Sequence, residues 1–292
     1  MSVSPDTKPI IRHSKRAWIW AIVAAIVLAF NSWVYWAEPI VNFPIPDSDY
    51  WNDKVNDVIT LAAALAAALA GARLARHFHR SEPPHRIWFL FTLGWWAWVG
   101  GELLGFVYDY YYWFEDYPEF TFIDVFWLLG YLFFGISLYL QFHLIYSHKR
   151  GAQGILYMAY LVFSLLVTLG LTQLAIRTGL GEDASWGAIY LAIIYPVFDL
   201  FQGAAALWLF FLFGRGWLGR PWWGLIAFAF ADALNIFFWL GGYNWVSDEV
   251  YLFWDMVSTI AYLAGYLITA LAFLGAEDHI TLGLRSNSPP TA

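Results

Sequence analysis

Residues 118–131 read PEFTFIDVFWLLGY, and the seven-residue step from Asp124 to Tyr131 returns downstream as Asp255 and Tyr262. The echo extends upstream in both places. Glu102 precedes Asp124 by 22 residues, and Asp232 precedes Asp255 by 23. Further back, Asp57, the run Ala62–Leu65 and Arg73 match Asp199, the run Ala204–Leu207 and Arg215 without a gap. A register kept over three successive segments predicts one bundle built twice.

The medium that surrounds the bundle follows from composition. Hydrophobic residues make up 61% of the 292 and charged residues 13%, against about a quarter charged in soluble domains. Runs long enough to cross a hydrocarbon core, which takes about 20 residues, fall at 17–36, 54–75, 87–110, 122–146, 154–176, 186–214, 222–243 and 251–275. The expected fold is an all-α integral membrane protein with eight transmembrane helices in two parallel four-helix repeats. A polar segment 1–16 precedes the first repeat, 17–150; the second repeat occupies 151–275, and a flexible tail is expected over 276–292. The 19 Trp, 18 Tyr and 25 Phe residues exceed what two interfacial belts need, so many rings must pack inside or line a cavity.

Loop charge sets the orientation. Arg73, Arg76, Arg80 and Arg86, then Lys149 and Arg150, then Arg215 and Arg220 gather on one face; Asp47, Asp49, Asp53, Glu115, Asp116, Glu119, Glu182, Asp183, Asp248 and Glu249 gather on the other. The positive-inside rule makes both termini cytoplasmic in a bacterial inner membrane. The first span reads as a retained anchor, since no small-residue cleavage site follows a short apolar core.

A carboxylate inside a bilayer is costly unless neutral, paired or hydrated, and so marks candidate function. Asp57 to Arg73, Asp199 to Arg215 and Glu102 to Arg86 are each sixteen residues apart, about 24 Å of helix. That depth places the acids in the outer part of the membrane, together with Asp232, Asp124 and Asp255. The candidate ligand-binding residues are Glu102, Asp124, Asp199, Asp232 and Asp255, with Tyr131 and Tyr262 as hydroxyl partners. On the last span, Asp255, Ser258, Thr259, Tyr262 and Tyr266 form one polar stripe that must face away from lipid. Pro196, one turn before Asp199, is expected to kink its helix. Structural alternatives stand beside each residue: Asp124 with Thr121 as a helix cap, Asp57 as a first-turn acid paired with Lys54, and Glu102, Asp199 and Asp232 as interhelical hydrogen-bonding glue.

Several chemistries are disfavoured. Absence of cysteine removes disulfides and zinc-thiolate sites. A retinal Schiff base needs a lysine deep in a span, and Lys8, Lys15, Lys54 and Lys149 all sit at or beyond the edges. His77, His79 and His85 share one loop, but interleaved Arg76, Arg80 and Arg86 make that loop a better lipid-headgroup surface than a metal site. No phosphate loop or nucleophile elbow is present, so no enzymatic activity is expected, and no cofactor or nucleic-acid partner is specified.

Gly101-Glu102 with Tyr108, the stretch from Pro118 through Asp124 to Tyr131, and Tyr195-Pro196-Val197-Phe198-Asp199 resemble the multi-pass membrane modules that precede bacterial diguanylate cyclase and histidine kinase domains. The resemblance implies a sensor, here without an output domain and so signalling through a protein partner or a homo-oligomer. The expected function is binding of a cation or small polar ligand in an outward-facing acidic and aromatic pocket. The alternatives are a subunit of a larger membrane complex that binds lipid, quinone or pigment, and a proton- or cation-coupled transporter.

Overall fold

A computed structural model of the chain describes residues 15–36, 48–111, 120–146, 186–213, 219–239 and 246–286, with isolated positions between 155 and 173. The run at 154–176 lies largely outside the described residues. Seven helices are described: α1 (Lys15–Trp36), α2 (Ser48–Ala75), α3 (Pro83–Tyr111), α4 (Phe122–Tyr146), α5 (Trp186–Phe213), α6 (Trp223–Trp239) and α7 (Asp248–Ser286), with a 3-10 turn at Arg220–Trp222 before α6. Among the described residues, all of α1 to α5 and α7 contain a stretch long and apolar enough to cross a membrane. Helix α6 spans 17 residues in its described part.

Six of these helices close a ring. Helix α2 packs on α3, α3 on α4, α4 on α5, α5 on α6, α6 on α7, and α7 returns to α2. Helix α1 lies outside this ring against α2 and α7. Its Trp18, Ile19, Ile26 and Trp33 are exposed, as suits side chains solvated by lipid.

Apolar tails solvate apolar side chains as well as protein does, so close packing must hold the ring. On α2, Ala63, Ala64, Ala67, Ala68 and Ala70 are buried, and the absence of bulk lets neighbouring backbones approach. Between α3 and α4 large rings fit glycine notches: a Cβ on Gly94 would collide with the Phe134 ring, and one on Gly130 with the Trp98 indole. Down the interior of α3 run Trp98, Trp95, Phe91 and Trp88, each at most 2% exposed. They meet Phe134, Trp222, Phe228, Tyr266 and Phe273 at ring-centroid distances between 4.5 and 6.2 Å, mostly edge-to-face, the arrangement the ring quadrupole favours. The surplus of aromatic residues therefore forms the core.

The last boundary differs from the sequence reading. Helix α7 runs to Ser286, although a flexible tail was expected from residue 276. Glu277 explains the continuation: it accepts a hydrogen bond from Arg73 at 2.9 Å and lies 3.4 Å from His77 of the α2–α3 loop, while Asp278 pairs with Arg16 of α1 at 3.5 Å. The tail residues thus tie α1, α2 and α7 together at one end of the bundle. Helix α5 includes Pro196 within its length, and Tyr195, Asp199 and Gln202 tie this part of it to α4.

Candidate functional site

At the end of the bundle opposite the α2–α3 loop, the ring encloses a cavity of about 400 Å³. Asn56, Asp57 and Thr60 of α2 line it, as do Trp98 and Glu102 of α3, Trp127 and Tyr131 of α4, and Tyr195 of α5. Asp232 and Asn235 of α6 and Thr259 and Tyr262 of α7 complete the wall. Every helix of the ring contributes. Among the described residues the wall presents three carboxylates, Asp57, Glu102 and Asp232, five aromatic rings and no basic side chain. Lys54 stands just outside, 3.7 Å from Asp57 and 6.0 Å from the centre of the Phe106 ring. The expected pairing of Asp57 with Lys54 is therefore present, but α2 begins at Ser48, so Asp57 lies beyond the first turn in which it was expected.

The remaining polar groups hold the helices in register. Glu102 Oε1 accepts from Tyr266 at 2.7 Å and from Tyr262 at 3.0 Å, which joins α3 to α7. Tyr131 donates to Asp199 and lies 3.5 Å from Asp232, so its single hydroxyl joins α4 to both α5 and α6. Gln202 donates to the Tyr131 carbonyl at 2.6 Å, and the Trp98 indole donates to the Trp127 carbonyl at 3.1 Å. Ser258 lies 2.9 Å from the Ala231 carbonyl and 2.8 Å from Asn235 Oδ1.

The structure separates the candidate residues into two groups. Glu102, Asp232, Tyr131 and Tyr262 line the cavity, and Asp199 sits directly behind Tyr131, 3% exposed. Asp124 serves as a cap. One carboxylate oxygen accepts from the Thr121 N–H at 2.7 Å and from its hydroxyl at 3.0 Å, while Thr121 Oγ1 accepts from the Ile123 N–H at 3.1 Å. This is the reciprocal arrangement of a capping box. The other Asp124 oxygen accepts from Tyr195 at 2.8 Å, which draws α5 toward α4. Asp255 does not line the cavity; it lies at the outermost step of its polar stripe, whose inner members Thr259 and Tyr262 do face inward. Helix α7 begins after Ser247, whose carbonyl accepts the first helical bond from Tyr251 at 2.9 Å.

Sequence reading did not single out Asn56, Thr60, Trp98 or Trp127 as lining residues. Asn56 and Thr60 carry a signal in their spacing, because at i and i+4 they share one side of α2 next to Asp57. Trp98 and Trp127 carry none, being two among 19 tryptophans.

A closed ring of apolar helices with buried polar ties defines the chain as a polytopic helical membrane protein. Comparison with protein-family models, with curated proteins and with solved structures finds no match.

Proposed function

We propose that the cavity is an outward-facing receptor site for a small organic cation, with both termini of the chain on the cytoplasmic side of a bacterial inner membrane. The observation that carries this reading is the pairing of Asp57, Glu102 and Asp232 with the rings of Trp98, Trp127, Tyr131, Tyr195 and Tyr262 around one space of about 400 Å³. Carboxylates attract positive charge, and ring faces add cation–π attraction to a weakly hydrated ammonium group. The volume falls within the range of small-molecule sites, about 300–1,000 Å³. A bare divalent ion needs several oxygens converging at about 2.3–2.6 Å, and among the described residues no three Asp, Glu or His side chains are grouped closely enough to hold a metal.

Binding without passage suits the packing below the site. Trp98, Trp95, Phe91 and Trp88 descend from the cavity toward the α2–α3 loop as buried rings, leaving no polar relay along α3. A sensor role, passed on through a protein partner, agrees with this closed floor. The two halves also fit a parallel duplication. Tyr131 of the first half holds acids of the second, Tyr262 of the second holds Glu102 of the first, and Trp98 and Phe228, each four residues before its half's acid, touch at 4.7 Å between ring centroids.

The test is the thermal midpoint of the purified protein at constant ionic strength against tetramethylammonium, methylammonium and calcium. Ligand bound only to the folded state raises the midpoint with concentration. Tetramethylammonium is expected to raise it in the wild type and to have no effect in Glu102→Gln/Asp232→Asn. A rise with calcium alone, or no rise with either ammonium ion in a folded sample, would overturn the organic-cation reading.

A further inference from the structure

The opposite end of the bundle carries a second, larger hollow that the cation site does not use. It has a volume of about 1,150 Å³ and lies between the C-terminal end of α2, the α2–α3 loop and the first turns of α3. Its rim is basic and its wall is apolar. Arg76, His79 and Arg80 stand on the rim, and Phe89, Leu93 and Trp96 form the wall.

The two parts are ordered along the membrane normal. Phe89, Leu93 and Trp96 follow one another at i, i+4 and i+7, a single stripe down α3. Phe89 is 47% exposed and Trp96 39%, so the stripe opens sideways, where a transmembrane helix meets acyl chains. The basic residues cap the stripe at the level of the headgroups.

Among the described residues the arginine charge on the rim is not consumed. Arg73 is drawn to Glu277 at 2.9 Å, and His77 lies 3.4 Å from the same carboxylate. Among the described residues no acid forms an ion pair with Arg76 or Arg80. Glu82, the acid of this loop, accepts the His79 backbone N–H at 3.0 Å. The loop has a fixed shape: His85 Nδ1 donates to the Ala75 carbonyl at 3.0 Å, its ring stacks on Phe89 at 5.9 Å, and His79 and Ser81 side chains lie 2.7 Å apart. Two guanidinium groups on a built loop, above an apolar channel open to lipid, match a phosphodiester attached to acyl chains.

We propose that this hollow binds one anionic phospholipid of the adjacent leaflet, with the headgroup phosphate between Arg76 and Arg80 and an acyl chain along Phe89, Leu93 and Trp96. The chemistry shared with a free phosphate is the arginine pair. The acyl stripe distinguishes the two sources.

The experiment uses the full chain, purified in detergent and stripped of lipid, with binding read by native mass spectrometry and by the thermal midpoint. Dioleoyl phosphatidylglycerol is expected to bind as one tight copy and to raise the midpoint, dioleoyl phosphatidylcholine to do neither at the same concentration. Affinity should fall about tenfold or more in Arg76→Gln/Arg80→Gln, fall in Trp96→Ala, and remain in Arg86→Gln, which removes a neighbouring charge outside the hollow. All the altered side chains are exposed, and an unchanged midpoint without lipid verifies that each variant folds. Equal binding of the two lipids, or an equal loss in Arg86→Gln, would overturn the site as general surface attraction. Full competition by inorganic phosphate with no loss in Trp96→Ala would overturn the lipid and leave a soluble phosphate as the ligand.

Discussion

Replacement of Trp98 by alanine is expected to lower the unfolding free energy by about 3–5 kcal/mol, the usual cost of truncating a large buried ring. Trp98 is 2% exposed, and its ring contacts those of Trp95, Tyr131, Phe134, Phe228, Tyr262 and Tyr266 at centroid distances from 4.7 to 6.5 Å. It also donates its indole N–H to the Trp127 carbonyl at 3.1 Å. Truncation removes the floor of the cavity and leaves a void where four helices meet. The Gly130 notch that receives the indole has no side chain of its own to fill the void. Denaturant titration of wild type and Trp98→Ala in the same mixed micelles measures the difference. A loss below about 1 kcal/mol, the scale of a minor surface change, would mean that the ring is not the keystone described.

Tyr131→Phe is expected to cost about 1–3 kcal/mol, the penalty for leaving a buried acceptor unsatisfied. The ring itself remains and keeps its contacts with Trp98 and Phe198. Only the hydroxyl is lost, and with it the hydrogen bond to Asp199 and the 3.5 Å approach to Asp232. Asp199 is 3% exposed, so water does not readily replace the donor. A double-mutant cycle with Asp199→Asn isolates the pair: once the acid is replaced, removing the hydroxyl should matter less. Additive losses would show that Tyr131 stabilises the bundle by packing alone.

Spacing rules marked Glu102, Asp232, Tyr131 and Tyr262 of the cavity wall in the sequence. The seven-residue step marked Tyr131 and Tyr262, which do face the cavity although the acids of that step do not, and the sixteen-residue distances from basic to acidic residues put Asp57, Glu102 and Asp199 near one level. Both follow from the rise and period of a helix. What spacing does not fix is rotation about each helix axis relative to its neighbours. Asp124 and Asp255 occupy matched positions in sequence, yet Asp124 turns back to Thr121 as a cap and Asp255 stays outside the cavity wall. Trp98 and Trp127 were hidden for a different reason: an indole in a membrane helix reads the same whether it faces lipid, core or cavity. The extension of α7 to Ser286 depended on Arg73 and Arg16, residues more than 200 positions away from Glu277 and Asp278, and no local pattern announces such pairing.

The central claim is that the acidic and aromatic cavity opens to the outer side of the membrane while the arginine-rich loop faces the cytoplasm. The chain has no cysteine, so single cysteines can be introduced without background. Labelling of Asn235→Cys, on the cavity wall, and His79→Cys, on the loop, with a membrane-impermeant maleimide in intact spheroplasts measures the topology directly. Asn235→Cys should label from outside and be slowed by tetramethylammonium; His79→Cys should label only after the membrane is opened. Labelling of His79→Cys in intact spheroplasts, with Asn235→Cys protected until lysis, would invert the bundle and contradict the account.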